Sequence, residues 1–280
     1  MTYSGAARPA ALGAIASALA FAAATASLAR PAEADEPARE KNAVGTELFE
    51  FGLAMAAGGR RFTYSDPVSA NIRDYSVFGA VMPELHLAFY PAADTGITFA
   101  RDVGFELTAT SAFGLSSQSS DGTSVGSSYD RLDAMVRARF FPAGRTGTSL
   151  GLAGGASLLR FSYDASGSLA DQVPGAAYES LRLAGDARAP IGRGALTIAI
   201  AYDAPLTAGD VYDRFTGSTV GGIDVRLGAS FLVGAGVEVR AAASYTRFFY
   251  AFAPVPGDTY VAGGALDEFF GLSLGAAYAY

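Results

Sequence analysis

From Glu47 onward, apolar and polar residues alternate with a period of two over most of the chain, and this alternation predicts β-strands. The clearest stretch runs from Arg131 to Arg139. Arg131, Asp133, Arg137 and Arg139 share one face, while Leu132, Ala134, Val136 and Ala138 share the other, which continues to Phe140. A helix would smear those arginines around its axis, whereas a strand sets them in one row.

The same split recurs along the chain. Phe49, Phe51, Leu53 and Met55 alternate with Glu50, Gly52 and Ala54. Leu85, Leu87 and Phe89 alternate with Glu84, His86 and Ala88, and Phe105, Leu107 and Ala109 with Glu106, Thr108 and Thr110. Leu181 and Leu183 oppose Ser180, Arg182, Asp186 and Arg188. Leu196, Ile198, Ile200 and Tyr202 oppose Thr197, Ala199 and Asp203. Ile223, Val225, Leu227 and Phe231 oppose Asp224, Arg226 and Ser230, and Val237, Val239 and Tyr245 oppose Glu238, Arg240, Ser244 and Thr246. The final segment sets Phe270, Leu272, Leu274, Tyr278 and Tyr280 against Gly271, Ser273 and Gly275. A further segment, Ser149 to Tyr163, is strand-like but broken by glycine, and its facing stays open around Gly154-Gly155. Ten segments result.

The connections alternate in length. The long ones, about 58–74, 116–127, 164–177, 206–217 and 253–266, are rich in Gly, Ser, Asp and Pro; short ones include 142–147, 189–194 and 233–236. Long loops on one side and short turns on the other are the habit of transmembrane barrels, and placing both termini in the periplasm puts all five long loops outside the cell. Two features run against the scheme. The connection at about 91–102 is long for a periplasmic turn, and Pro83 removes a ladder hydrogen bond inside the second strand, where a bulge is expected. A soluble sandwich or lipocalin-like barrel shows the same alternation with its polar face in water. The two ends of the chain favour the membrane.

At the N-terminus, Arg8 precedes an apolar run from Ala10 to Ala29, and Pro31 leads into Ala32-Glu33-Ala34, an A-x-A exit. These are the parts of a secretory signal peptide, residues 1–34, with cleavage after Ala34 preferred over Ala26 or Ala29. Residues 35–45 read as a short periplasmic tail and 46–280 as the barrel. At the C-terminus, Ser273-Leu-Gly275-Ala-Ala-Tyr278-Ala-Tyr280 resembles the terminal strand signal of the bacterial outer-membrane β-barrel superfamily. Taken with the ten alternating segments, this resemblance of the final strand implies an up-and-down antiparallel barrel in the outer membrane, in contact with its lipid and lipopolysaccharide. It also implies recognition of Gly275, Tyr278 and Tyr280 by the barrel assembly machinery. No single subfamily stands out.

Composition narrows the chemistry. Thirty-four glycines and thirty-three tyrosines and phenylalanines disfavour helices and suit strands, turns and membrane interfaces. Beyond the first thirty-odd residues no apolar run reaches the ~18 residues of a transmembrane helix. With no cysteine there is no disulfide scaffold, thiolate metal site or cysteine nucleophile. A net charge of −7 disfavours nucleic acid, and neither a metal nor another cofactor is expected.

On the polar faces stand eight acids, Glu50, Glu84, Glu106, Asp133, Asp186, Asp203, Asp224 and Glu238. Eight arginines match them: Arg131, Arg137, Arg139, Arg160, Arg182, Arg188, Arg226 and Arg240, with Arg160 in the segment of open facing. A ten-stranded barrel is only slightly wider than the eight-stranded size that side chains fill. Buried charges need partners, and arginine's planar fork suits carboxylates, so these residues are expected to plug the lumen with ion pairs. Arg137, Arg139, Arg226 and Arg240 are expected to pair with carboxylates such as Asp133, Asp224 and Glu238.

His86, the sole histidine, is read as part of this lumenal network, toward the periplasmic half. The ten-stranded omptin proteases carry a histidine and acids near the extracellular rim, a pattern this chain does not match. The reading is therefore a non-enzymatic barrel serving a structural or surface-interaction role. An extracellular ligand at the long loops (210–214, 116–129 and 256–260) is a further expectation. The alternative is a small pore whose charge rings select ions or small solutes; an outer-membrane hydrolase is the weakest third.

Overall fold

The computed structural model describes residues 45–97, 99–118, 124–163, 174–215 and 217–280. The export segment expected at 1–34, the tail up to residue 44 and loop residues 119–123 and 164–173 lie outside them. Ten strands follow one another: β1 (Phe49–Ser65), β2 (Tyr75–Phe89), β3 (Val103–Gln118), β4 (Ser124–Phe140) and β5 (Ser149–Tyr163). After these come β6 (Ala176–Ile191), β7 (Gly194–Ala208), β8 (Thr219–Gly234), β9 (Val237–Ala251) and β10 (Gly264–Ala279). Each pairs antiparallel with its sequence neighbours, and β1 pairs with β10 from Glu50↔Ala279 to Ser65↔Gly264, closing the barrel. Ring closure pairs the first strand with the last, removing the two end edges that hydrocarbon could not satisfy.

The alternation resolves into two faces. Leu53, Met55, Val136, Leu181, Ile198, Leu227, Leu272 and Leu274 point outward and are more than half exposed, except Val136, which sits at 50%. On β1 the outward apolar band runs from Phe51 to Gly59, close to the 9–11 residues with which a tilted strand crosses a bilayer. Above it, Arg61, Glu268 and Arg247 stand side by side on β1, β10 and β9 and mark the band's outer limit. Tyr278 and Tyr280 mark the limit at the opposite end, where the β1 start and the chain end meet and which is the end expected in the periplasm.

Several expectations need correction. The strands run further toward the extracellular side than their patterns implied, so that β1 reaches Ser65 and β7 reaches Ala208, and the loops they bound are correspondingly shorter. The turns tighten as well: β8 and β9 are joined by Ala235-Gly236 alone, both with positive φ, as a type I′ hairpin requires. No bulge falls at Pro83. The register of β2 against β1 slips at Gly79 instead, where φ is +83°. β5 is continuous through Gly154-Gly155, because Gly155 brings its backbone against that of β4, where a Cβ would collide with the Ala134 carbonyl.

Candidate functional site

Inside the barrel the polar rows of the strands meet across a narrow space and pair. Near the periplasmic end, Arg137 on β4 donates through Nε and Nη2 to both oxygens of Asp186 on β6, at 3.0 and 2.6 Å, and through Nη1 to the Tyr90 hydroxyl at 2.7 Å. Glu106 lies 3.8 Å from the Arg137 Nε and 3.8 Å from the His86 Nδ1. His86 also sets Nδ1 3.1 Å from the Thr108 hydroxyl and Nε2 3.1 Å from Glu50. Arg240 bridges Glu50 and Glu238, and Arg188 reaches Glu238 at 2.6 Å.

Higher up, Arg226 meets Glu84 at 2.5 Å. Arg131 on β4 and Arg182 on β6 share Asp224 of β8, each at 3.0 Å, so one carboxylate ties three strands together across the lumen. Arg131 also binds Asp133, and Arg182 binds Asp203. The predicted charges thus all face inward except Arg160, which lies on the outer face and pairs with the exposed Glu179 at 3.6 Å. Its strand turns Leu159 and Phe161 inward, and parity sends Arg160 out.

The partners differ from those expected. Arg137 takes Asp186 and Arg226 takes Glu84, while Asp133 and Asp224 go to Arg131 and Arg182; only Arg240 keeps Glu238. Arg139 pairs with a residue outside the predicted set, Glu47 at 3.2 Å, and approaches Asp102 at 4.0 Å. Partners are chosen by strand tilt and side-chain height, which alternation does not encode.

Side chains gather at both mouths. At the periplasmic end the Arg139 guanidinium stacks on the Tyr90 ring, 3.3 Å from its centroid, and Arg145 holds Asp102 at 3.2 Å. Tyr90 and Asp102 are the ends of the 90–102 connection, so the segment that looked too long for a turn supplies the closure. Burial raises the Tyr90 phenol above its ordinary value, against the pull of Arg137 and Arg139.

At the extracellular end an aromatic cluster closes the barrel. Phe62, Leu159, Phe161, Tyr178, Phe248, Tyr250 and Phe269 are buried at the upper ends of their strands. The helical turn α1 (Asp210–Arg214) adds Val211, and Phe215 follows it into the cluster, stacked on Phe252 at 4.0 Å. Beneath lies a buried pair, Arg60 with Asp267, whose carboxylate also accepts from the Tyr178 hydroxyl at 2.6 Å. Loop 66–74 is laced to loop 252–263: Val68 N–H donates to the Val261 carbonyl at 2.9 Å, and Val261 N–H to the Ser69 hydroxyl at 3.0 Å.

The cap lies outside the predicted site. Its signal was present, since Phe248 and Tyr250 continue the parity of Glu238 and Arg240, and Phe62 that of Glu50. Among the described residues a cavity of about 300 Å³ runs from Gly45 and Glu47 up to Phe161 and Phe269 beneath the cap, and an adjoining one of about 230 Å³ shares Glu84, His86 and Arg226 with it.

The chain is similar in structure to the outer-membrane protease OmpT from Escherichia coli, with a TM-score of 0.51 at 11% identity over 83% of this chain and 96% of that one. Weaker likenesses include Neisserial surface protein A, at 14% identity and TM-score 0.36 over 82% of this chain and 97% of that one. The β domain of the Bordetella autotransporter BrkA matches at 14% identity and TM-score 0.40, over 84% of this chain and all of that one. No family model and no curated relative matches. At 11% identity the likeness to OmpT speaks of fold alone.

Proposed function

Given a chain that folds as a bacterial outer-membrane β-barrel, we propose that it is a closed, non-enzymatic barrel that anchors in the outer membrane and presents a rigid cap at the cell surface. The observation that carries this reading is the double closure of the lumen: every inward-facing arginine among the described residues has a carboxylate within 4.0 Å, and the aromatic cap covers them. A conducting pore needs a continuous wet path, and charge rings select ions only where their charges are left for the ion.

A surface role is supported by the cap's construction. Loops 66–74 and 252–263 are bonded to each other, and α1 is pinned through Val211, so the surface is preorganised and binding to it costs little ordering. Val68, at 77% exposed, and Val255, at 58%, offer apolar contact there. The non-enzymatic reading is supported by His86, which is held between Glu50 and Thr108 inside the lumen and away from the cap. Outer-membrane lipid, lipopolysaccharide and the assembly machinery acting on Tyr278 and Tyr280 complete the proposed partners.

The test is single-channel recording of the refolded protein in a planar bilayer. Silence across the voltage range is expected. A steady ohmic conductance would overturn the closed-barrel reading in favour of the pore.

A further inference from the structure

The lumenal charges pair, but two of them leave hydrogen-bonding capacity unused. Arg226, with 38% of its side chain exposed, is the most accessible of the lumenal arginines, and Glu106, at 29%, is the most accessible of the lumenal carboxylates. Arg226 engages one nitrogen, Nη2, on Glu84 and Ser273, which leaves Nε and Nη1 open. Glu106 has only distant company among the described residues. Arg137 Nε and His86 Nδ1 each stand 3.8 Å from it, beyond hydrogen-bonding reach.

Both open groups face the same space. Glu106 and Arg226 line the cavity of about 300 Å³ and the adjoining one of about 230 Å³ alike. Room exists there because the wall opposite Glu106 is built from small residues: Ala199 on β7, Gly228 on β8, Gly275 on β10 and Ala54 on β1. The larger cavity alone is at the low end for small-molecule sites. It reaches Gly45 and Glu47 at one end and stops beneath the cap at the other, so approach is from the periplasmic side.

Height sets the two charges apart. Glu84, the partner of Arg226, stands opposite Thr110 on β3, four residues above Glu106 and therefore ~13 Å further along the strand. A ligand that engages both groups must carry its opposite charges several bonds apart. We propose that the lumen binds a short linear zwitterion, an ω-amino acid or a dipeptide, with its ammonium on Glu106 and its carboxylate on the open nitrogens of Arg226.

Each end of the ligand meets suitable chemistry. Nε and Nη1 of a guanidinium form a fork that suits a carboxylate, and Ser244, opposite Arg226 in the β8–β9 register, adds a hydroxyl beside it. At the other end, the ammonium supplies the donors that Glu106 lacks. Binding of this kind coexists with a barrel that does not conduct, because it needs entry from one side only.

The experiment is calorimetric titration of the mature chain, refolded in detergent micelles, with 6-aminohexanoate and with glycylglycine. One saturable site per chain is expected, and the tighter of the two probes tells the ω-amino acid from the dipeptide. Hexanoate and hexylamine, with one charge each, and glycine, whose charges sit too close together, should all bind at least tenfold more weakly. Arg226→Gln should weaken the zwitterion about tenfold and leave hexylamine unchanged, while Glu106→Gln should weaken it as much and leave hexanoate unchanged. Ala199→Phe, which fills the shared space, should abolish binding. The heat-dependent gel shift of a folded barrel is checked for every variant, and the two near-isosteric changes carry the test if the phenylalanine is not accommodated. Absence of saturable binding by either zwitterion would overturn the site. So would hexanoate or hexylamine binding as tightly as the zwitterion, or affinity indifferent to both Arg226→Gln and Glu106→Gln.

Discussion

Arg60 and Asp267 form a two-pronged ion pair beneath the extracellular cap, with Nε donating to Oδ1 at 2.7 Å and Nη2 to Oδ2 at 2.8 Å. Their side chains are 1% and 0% exposed. Strand register sets them diagonally across the β1–β10 closure, since Arg60 lies opposite Phe269 and Phe62 opposite Asp267. Desolvation of such a pair is offset only by full engagement. Here the guanidinium also lies over Phe161 at 4.6 Å, and the Tyr178 hydroxyl occupies a further site on the carboxylate.

Asp267→Ala should therefore strand a buried cation and lower stability by ~3–5 kcal/mol. Replacing both members, Arg60→Met with Asp267→Leu, should cost clearly less than the single change, because two apolar groups need no partner. Denaturant unfolding of both variants in lipid vesicles compares them. A double variant as unstable as the single one would mean that packing, rather than the stranded charge, sets the cost.

The lipid-facing row makes a second expectation. Val136→Arg and Ile198→Arg place a cation on the outer face of the apolar band, where arginine at the midplane costs ~2–4 kcal/mol. Thr108→Ser and Ser230→Thr, on the lumenal face, should change stability little. Equal losses on both faces in the same unfolding assay would contradict the facing of these strands.

Much of this architecture was legible in the residues themselves. Period-two alternation located ten strands and both faces, because a closed barrel imposes opposite environments on alternate side chains. It was less informative where the environment on the two faces converges. Above Gly59, β1 carries Arg61 outward and Arg60 and Phe62 inward, so polarity ceases to report facing and the strand seemed to end. The cap was missed for the same reason: Tyr178, Phe248 and Phe269 are apolar at positions whose parity belongs to the charged row. Arg160 was misplaced because glycines interrupt the pattern below it. Pairing partners were the least legible, since Arg182 and Asp224 meet across the lumen from strands that are not neighbours.

Processing supplies a third expectation. If Ala32-Glu33-Ala34 is the signal-peptidase exit, the mature chain begins near Asp35 and fractionates with the outer membrane. N-terminal sequencing of envelope material checks this. An intact Met1 species in that fraction would show that the segment is retained.

The last expectation separates a plugged lumen from a selective one. Arg137 binds Asp186 through two bonds and holds the Tyr90 hydroxyl that helps close the periplasmic mouth. Arg137→Ala leaves Asp186 without its bidentate partner and loosens Tyr90 at once. Because water can reach the adjoining cavity, the loss should fall below the ~3–5 kcal/mol of a fully buried pair. Current should stay absent in this variant, since Phe62, Phe215, Phe248 and Phe269 still cover the other mouth. Opening should require both ends: Arg137→Ala combined with Phe215→Ala and Phe269→Ala should conduct where either set alone does not. Thermal unfolding and bilayer recording of the three proteins beside the parent give the answer. A conductance in Arg137→Ala alone would place the barrier at Tyr90 and Arg139 and leave the aromatic cap a purely structural part.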